Sequence, residues 1–480
     1  MNRQSSLSAT PLLPVAVCLM AGIAAGRWLH PPFPLLHALA AAVVVAFACR
    51  RHAVAQTVAI LACCMLLGMT LVQMQEKDDE DVYGQKIEAV VMSEPAERPK
   101  TIGADLLVPS AGGRTLRCYL WKDEMSRRLK LGDGLVVRLR DDKPPFKSAL
   151  PTMFFVHRSD WHPGGTALGQ LSRWQRLRLW FLKQRRMLLQ RYRDFGAEEE
   201  TYAVLAAMTL GDKSAQTADI RETFAVSGAS HVLAISGLHI GIVYMLLTWF
   251  MLGRRRFWLA QLLTLTAIWA FALLTGLSPS VTRAATMITI YSIFAHRGGR
   301  AASVNVLCLA AIAMLLADAA MLFEVSFQLS FAAVLAIVVL MPMLRDIYQP
   351  QNTLLRWTWN VVLLSTCAQI GVAPLIAYYF GRISTYFLLT NLLVIPAATL
   401  ILYGSLLSLL FPPAGMPLLW VVRMMNASLR RIAALPGATI DGLHPTALQV
   451  ALTYVLIAIL AAVTCFFTKY TKNYTVMGKK

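Results

Sequence analysis

The chain has 480 residues, of which 57% are hydrophobic and only 15% charged, and its mean hydropathy is +0.55. A soluble globular protein carries nearer ~25% charge, so the composition argues against a water-soluble multidomain chain and for helices that share one lipid-solvated bundle. The 45 Lys and Arg against 26 Asp and Glu leave a net charge of +19; such an excess fits cytoplasmic anchoring loops and, because much of it sits in one polar stretch, also a polyanionic partner.

Residues 12–29, 35–49 and 54–74 are apolar runs, each near the length that crosses ~30 Å of hydrocarbon. Residues 1–75 are therefore predicted to form a short N-terminal bundle. The first run lacks a small-residue cleavage site before a soluble domain, and two more runs follow it, so it is predicted to stay as a signal anchor.

The charged run at 76–81 is predicted to open a soluble domain over 76–165. Short alternating stretches at 86–93, 102–108, 114–121, 134–140 and 153–157, separated by turns such as Gly112-Gly113 and Asp133-Gly134, predict five strands and a small OB-type barrel. Cys118 is the one cysteine of eight in this region, so a disulfide framework is excluded, and no zinc-ligand spacing appears. The strands carry Arg114, Arg117, Arg138 and Arg140 with Tyr119 and Trp121 interleaved. Cations for a backbone and aromatic faces for bases are what single-stranded nucleic acid needs. The plainer alternative is that alternation turns Tyr119 and Trp121 into barrel core and leaves a solvated basic face.

Over 166–200 the period changes to that of a helix. Leu171, Trp174, Leu177, Phe181, Leu188 and Tyr192 fall near one face, and arginines cover much of the rest. A basic amphipathic helix with aromatic anchors is expected to lie along a membrane surface; gripping nucleic acid is the alternative.

Residues 201–468 are predicted to be mostly membrane, with spans at 237–252, 257–275, 280–296, 303–320, 325–343, 360–380, 385–411 and 447–467, followed by a basic cytoplasmic tail at 469–480. Residues 415–433 are apolar but contain Arg423, Arg430 and Arg431, and either span or lie at the interface. If the spans alternate, Arg50-Arg51, Arg254 to Arg256, Arg297 and Arg300, and Arg345 and Arg356 share one side, which the positive-inside rule makes cytoplasmic. The soluble domain is then extracytoplasmic. The expected fold class is an α-helical polytopic membrane protein with an inserted small β domain.

Polar residues inside the apolar region mark a candidate path. The segment 227–241 places His231, Ser236, Gly237 and His239 where an apolar run begins, among three glycines, which predicts a broken or re-entrant helix; ordinary glycine-mediated packing is the alternative. In 274–284, Ser278 precedes Pro279, and Arg283 sits one turn inside an apolar span, where it needs a partner or water unless it snorkels outward. Gln328, Ser330, Gln369 and Asn391 add polar groups to later spans. Ser236 and His239 could meet on one face, but no carboxylate is evident to orient the histidine. There is no GxxxxGK[ST] loop, GxSxG elbow, HExxH or histidine-rich dinuclear motif, so no motor, hydrolase, metal site or cofactor is predicted.

The stretches GASHVLAISGLHIGIV (228–243), LTGLSPSVTRAATM (274–287) and FEVSFQLSFAAVLAI (323–337), with LGDKS (210–214) and, more loosely, 368–397, resemble the ComEC family of competence proteins. That resemblance implies an inner-membrane channel that imports single-stranded DNA in natural transformation, working with membrane lipid and with separate DNA-receptor, motor and nuclease proteins. Many relatives carry a C-terminal β-lactamase-like nuclease domain with a histidine-rich motif. This sequence shows no such motif and resembles a short form. A transporter or flippase for a lipid or small anionic solute is the alternative function, and a pore-less scaffold a third.

Overall fold

A computed structural model describes residues 10–29, 35–80, 86–110, 113–139, 153–251, 257–294, 300–345 and 348–477. The protein is mostly helical, with a small β half-barrel inserted after the third helix. Among the described residues, six helices are long and apolar enough to cross a membrane.

The N-terminal bundle comprises α1 (Leu12–Leu29), α2 (Leu35–Ala48) and α3 (Ala53–Glu80). Lipid offers no hydrophobic drive for helix association, so small residues that let backbones approach must supply the packing. Gly22 and Gly26 of α1 meet Met65 and Met69 of α3, and Gly68 of α3 meets Leu19 and Ile23, with no room for a Cβ at Gly22 or Gly68. One boundary differs from the sequence reading: the charged run does not end α3, which continues to Glu80. Lys and Glu are good helix formers, so polarity there marks the end of the apolar span rather than of the helix.

The inserted domain holds β1 (Lys86–Val91), β2 (Ala96–Glu97), β3 (Thr101–Val108), β4 (Arg114–Trp121), the short helix α4 (Glu124–Arg127), β5 (Gly134–Arg138), β6 (Met153–Val156) and β7 (Trp161–Pro163). The sheet has seven strands in the order β6-β4-β3-β1-β5-β7, with β2 paired to β3. Two strands, β2 and β7, are additional to the five predicted. The β4–β6 pair is parallel and the others are antiparallel. Alternation is obeyed on β4: Cys118 and Leu120 enter the core with Val91, Leu106, Leu135 and Trp161, while Arg117 and Trp121 point outward. Burial pushes the Cys118 thiol up to about 12. At neutral pH it is protonated and unreactive. A maleimide is expected to leave Cys118 unmodified in the native full chain and to modify it after denaturation; rapid native labelling there would contradict this core.

Past the short helix α5 (Ala167–Gln170) comes α6 (Arg173–Asp194), whose start is fixed by a capping box between Ser172 and Gln175. Leu171, Leu179 and Leu182 pack under the β domain against Val90, Met92 and Leu107. Further along, Leu189 and Tyr192 enter the core of the helical region. Each such leucine contributes roughly 1.5–3 kcal/mol when buried. The apolar face proposed from sequence is therefore split. Leu171 and Tyr192 face the protein, whereas Trp174 and Leu177 are exposed.

The rest is α7 (Glu199–Leu210), α8 (Ala218–Val226), α9 (Ser230–Leu233), α10 (Gly237–Met251), α11 (Phe257–Leu274), α12 (Pro279–Phe294), α13 (Arg300–Ala317), α14 (Val325–Arg345), α15 (Thr353–Phe380), α16 (Phe387–Leu410), α17 (Gly415–Ala433) and α18 (Ala447–Met477). Two short strands, β8 (Arg382–Ser384) and β9 (Thr439–Asp441), pair antiparallel. Because β8 precedes α16 and β9 follows α17, this hairpin leaves and returns at one level. The status of 415–433 follows: α17 retraces the path of α16 in reverse. Two of its three arginines are held by the start of α7, Arg423 by Glu198 at 3.1 Å and Arg430 by Glu200. Several connections gather at one end of the bundle: Gln75 of α3 donates to Asp318 at 3.1 Å, and Tyr379 of α15 donates to Gln328 at 2.8 Å.

Candidate functional site

The break predicted at 227–241 is present. Gly228 takes a left-handed φ of +83°, and a Cβ on it would lie 2.8 Å from the Ser384 hydroxyl. Thr390 of α16 donates to the Ser227 carbonyl at 2.6 Å, so the gap between α8 and α9 is stitched to α16. α9 lasts four residues, and the chain breaks again before Gly237 starts α10. His239, in the first turn of α10, is fully buried. Its Nδ1 accepts from the Ser236 backbone N–H at 3.2 Å and lies 3.1 Å from the Ser236 hydroxyl. A neutral ring then carries its proton on Nε2, which is buried without a hydrogen-bond partner among the described residues. His231, by contrast, is exposed on α9.

The turn between α11 and α12 builds the next part. Gly276 has φ +86° and Leu277 φ +55°, the latter a conformation that costs a non-glycine residue roughly 1–2 kcal/mol. The half-buried Ser278 follows, its carbonyl accepting from Thr282, and Pro279 starts α12. Arg283 comes one turn later and is 3% exposed, so it does not snorkel. Its Nη1 donates to Ser326 at 3.2 Å and its Nη2 to Ser330 at 3.0 Å, two hydroxyls one turn apart on α14. Ser326 in turn donates to Glu324 at 3.3 Å. The Arg283 Nε is buried and has no hydrogen-bond partner among the described residues.

These groups share one neighbourhood. A Cβ on Gly237 would lie 3.7 Å from Ala284, so the Ser236–His239 turn sits against the helix that carries Arg283. Gln328 donates to the Leu322 carbonyl at 3.0 Å and accepts from Tyr379, which ties α14 to α15. Gln369 and Asn391 are half-buried on α15 and α16, and the Asn391 Oδ1 is buried with no hydrogen-bond partner among the described residues. Sequence reasoning missed Ser326 and Tyr379. The spacing of Ser326 and Ser330 by four residues, which puts them on one helical face, was the available signal.

The LGDKS stretch is a junction. Asp212 is 5% exposed; it pairs with Arg185 of α6 at 3.3 Å and accepts from the Ser214 hydroxyl at 2.9 Å. Gly211, at φ +73°, would bring a Cβ within 3.1 Å of the Thr275 carbonyl. The helix under the β domain is thus fastened beside the turn that precedes Arg283.

On the outer face of β4, Tyr119 is covered. The Arg98 guanidinium lies 4.6 Å over its ring, and Phe155 of the parallel neighbour β6 stacks on it at 5.4 Å. Phe155 itself is 71% exposed, and Trp121 is exposed and meets His157 edge-on. Tyr119 and Trp121 are therefore on the outer face, and neither belongs to the barrel core. Arg117 is held by Asp105 through two hydrogen bonds at 2.8 and 3.1 Å, which raise its affinity for its proton. Arg138 is exposed at the end of β5, Arg114 begins β4, and Arg140 lies outside the described residues. Arg98, Phe155 and His157 were missed because they come from other parts of the chain and meet β4 only through the sheet register.

Among the described residues no group of three or more His, Cys, Asp or Glu side chains could hold a metal ion. No solved structure matches the chain. ComE operon protein 3 of Bacillus subtilis strain 168 is 33% identical over 202 residues, 42% of this chain and 25% of that protein. An uncharacterized protein of Aquifex aeolicus strain VF5 is 30% identical over 234 residues, 48% of this chain and 54% of that one. The chain thus spans about a quarter and about half of the lengths of these two relatives. The Competence protein family model matches residues 208–466, which contain the broken segment, the Arg283 turn and both serines of α14. The chain belongs to this family of competence proteins, of the ComEC type.

Proposed function

We propose that this protein is the path by which single-stranded DNA crosses the cytoplasmic membrane during natural transformation. One observation carries the reading: the guanidinium of Arg283 is buried between helices, bonded to two serine hydroxyls with Glu324 behind one of them, and its Nε has no hydrogen-bond partner among the described residues. A guanidinium in that setting is poised for phosphate oxygens, which accept in the planar fork geometry it presents. Ser326 and Ser330 hold it until a phosphodiester replaces them, and the Nε2 proton of His239 offers a further donor nearby. Ser236, Gly237, Ser278, Gln328, Gln369, Asn391 and the exposed His231 line or flank the same path. The chain acts as a transport protein rather than an enzyme, and separate receptor, motor and nuclease proteins supply capture, force and strand removal.

The β domain is of OB type and extracytoplasmic in this reading. Its strand order, with the third and fifth long strands parallel, supports the first point. The connections gathered at the α3 end and the basic loops at the other support the second. Cysteines introduced at Thr115 and Gly299 should label from opposite sides of the membrane; labelling of both from one side would refute this orientation.

Tyr119, Trp121 and Phe155, with Arg98 and Arg117 beside them, form the receiving surface, which Arg114 and Arg138 extend along the domain; Arg140, the further cation expected from sequence, lies outside the described residues. Base stacking is worth ~1–3 kcal/mol per base. Phe155→Ala or Trp121→Ala in the full chain in nanodiscs should weaken binding of a fluorescent single-stranded oligonucleotide about fivefold or more. Wild-type binding should weaken as salt rises. Unchanged affinity in both variants would leave the domain as a spacer.

The function itself is tested by deleting the gene and following labelled DNA. The deletion strain should hold DNA at its surface and admit none to the cytoplasm, and the intact gene should restore import. Normal import without the protein would refute the proposal.

A further inference from the structure

α6 has two apolar faces. The first, Leu179, Leu182 and Leu189, is spent on the β domain and the bundle. The second is left uncovered: Trp174 is 54% exposed, Leu177 41%, Trp180 52% and Met187 55%. At 3.6 residues per turn these four lie on one side of the helix, away from the packed leucines. Arg176, which also donates to the Gly169 carbonyl, and Lys183 are exposed along one flank of that face, and Arg173 is exposed at its N-terminal end. Arg185 on the opposite flank and Arg186 on the packed side are engaged, by Asp212 and Glu94.

The helix also has a fixed height. Leu182 and Arg185 lie against Gly276, the turn at which α11 ends, so α6 runs past the mouth of the bundle where lipid-facing helices stop. Exposed tryptophans with leucine and methionine, bordered on one side by cations, match the boundary between headgroups and acyl chains. Nucleic acid offers flat bases but no apolar layer for Leu177 and Met187.

We propose that the exposed face of α6 is a lipid-binding surface: Trp174, Leu177, Trp180 and Met187 insert into the outer edge of the bilayer, and Arg173, Arg176 and Lys183 contact anionic headgroups. The inference is independent of what the bundle conducts. It gives the β domain a rigid footing, because the same helix packs beneath that domain and is pinned to the bundle through Arg185 and Asp212.

A nitroxide placed at Leu177 tests it, in the full chain with its eight native cysteines replaced and in nanodiscs containing phosphatidylglycerol. The expected result is a label more accessible to dissolved oxygen than to a water-soluble nickel chelate, with the opposite order for a label at Thr115. Replacing Arg173, Arg176 and Lys183 with glutamine should shift the Leu177 label toward water. A Leu177 label as open to the chelate as the Thr115 label would overturn the proposal. So would a label shielded only when a single-stranded oligonucleotide is added. A lipid-exposed label indifferent to the three substitutions would overturn the role given to the cations.

Discussion

Replacing Arg283 with leucine is expected to reduce uptake of labelled DNA roughly tenfold or more, the scale set by one charge-assisted hydrogen bond worth about 1.5–3 kcal/mol. Two physical effects separate this from misfolding. An arginine costs up to about 2.5–3.5 kcal/mol on insertion at a helix centre and less towards the end, where Arg283 lies one turn inside α12, so its removal does not oppose insertion. Of the hydroxyls it leaves, Ser330 can fall back on the Ser326 carbonyl one turn back in α14, and Ser326 already donates to Glu324. The variant should therefore be present in the membrane at normal level. Arg283→Lys keeps the charge but loses the fork that reaches both serines, so it should retain part of the activity. Quantifying internalised label against membrane protein level checks this. Unimpaired uptake in the leucine variant would mean that the buried charge only holds α12 to α14.

Gly371→Leu is expected to damage the same region by packing rather than by charge. A Cβ on Gly371 of α15 would lie 2.6 Å from the Ala332 carbonyl oxygen and 2.6 Å from the Ala336 Cβ of α14, and the former is backbone that cannot rotate aside. The Gly371 carbonyl also accepts from Tyr454 of α18 at 2.7 Å, so three helices meet there. Forcing them apart should cost about 1–3 kcal/mol or more, the range for overpacked interiors. It should also disturb the Gln328–Tyr379 bond that joins α14 to α15 nearer their ends. Gly241→Ala in α10 is the matched control, because nothing lies within 4 Å of a Cβ there. Thermal unfolding in detergent should show a large loss for Gly371→Leu and little change for Gly241→Ala. Equal stability of the two variants would contradict the α14–α15 packing.

The contrast between these residues also explains what could be read before the structure was known. Arg283 announced itself, because a charge inside an apolar run is costly enough to require an explanation wherever it lies. Six of the eleven expected spans match described helices long and apolar enough to cross a membrane, and the break at 227–241 was legible because glycines interrupt an apolar pattern there. Long strands of the β domain were found through alternation, but β2 and β7 are too short to show a period. α6 misled because it has two apolar faces. A single-face reading merged Leu171 and Tyr192, which are packed, with Trp174 and Leu177, which are not. The return of α17 was open from sequence because its arginines could not be paired in advance with Glu198 and Glu200, residues some 225 positions away. Likewise Phe155 covers Tyr119 only because β6 runs parallel to β4, a pairing that no local pattern encodes.

The central claim is that a DNA strand travels past Ser236 and Ser330 inside the bundle. The most direct measurement is to arrest a strand in transit, with a bulky protein fixed to its trailing end, in cells whose only copy of this chain carries a photo-crosslinking residue. Positions 236 and 330 should each give a covalent adduct with the strand. Position 456, on the exposed side of α18, should give none. An adduct at 456 alone, or at none of the three while labelled strand still enters the cytoplasm, would contradict a path through this protein.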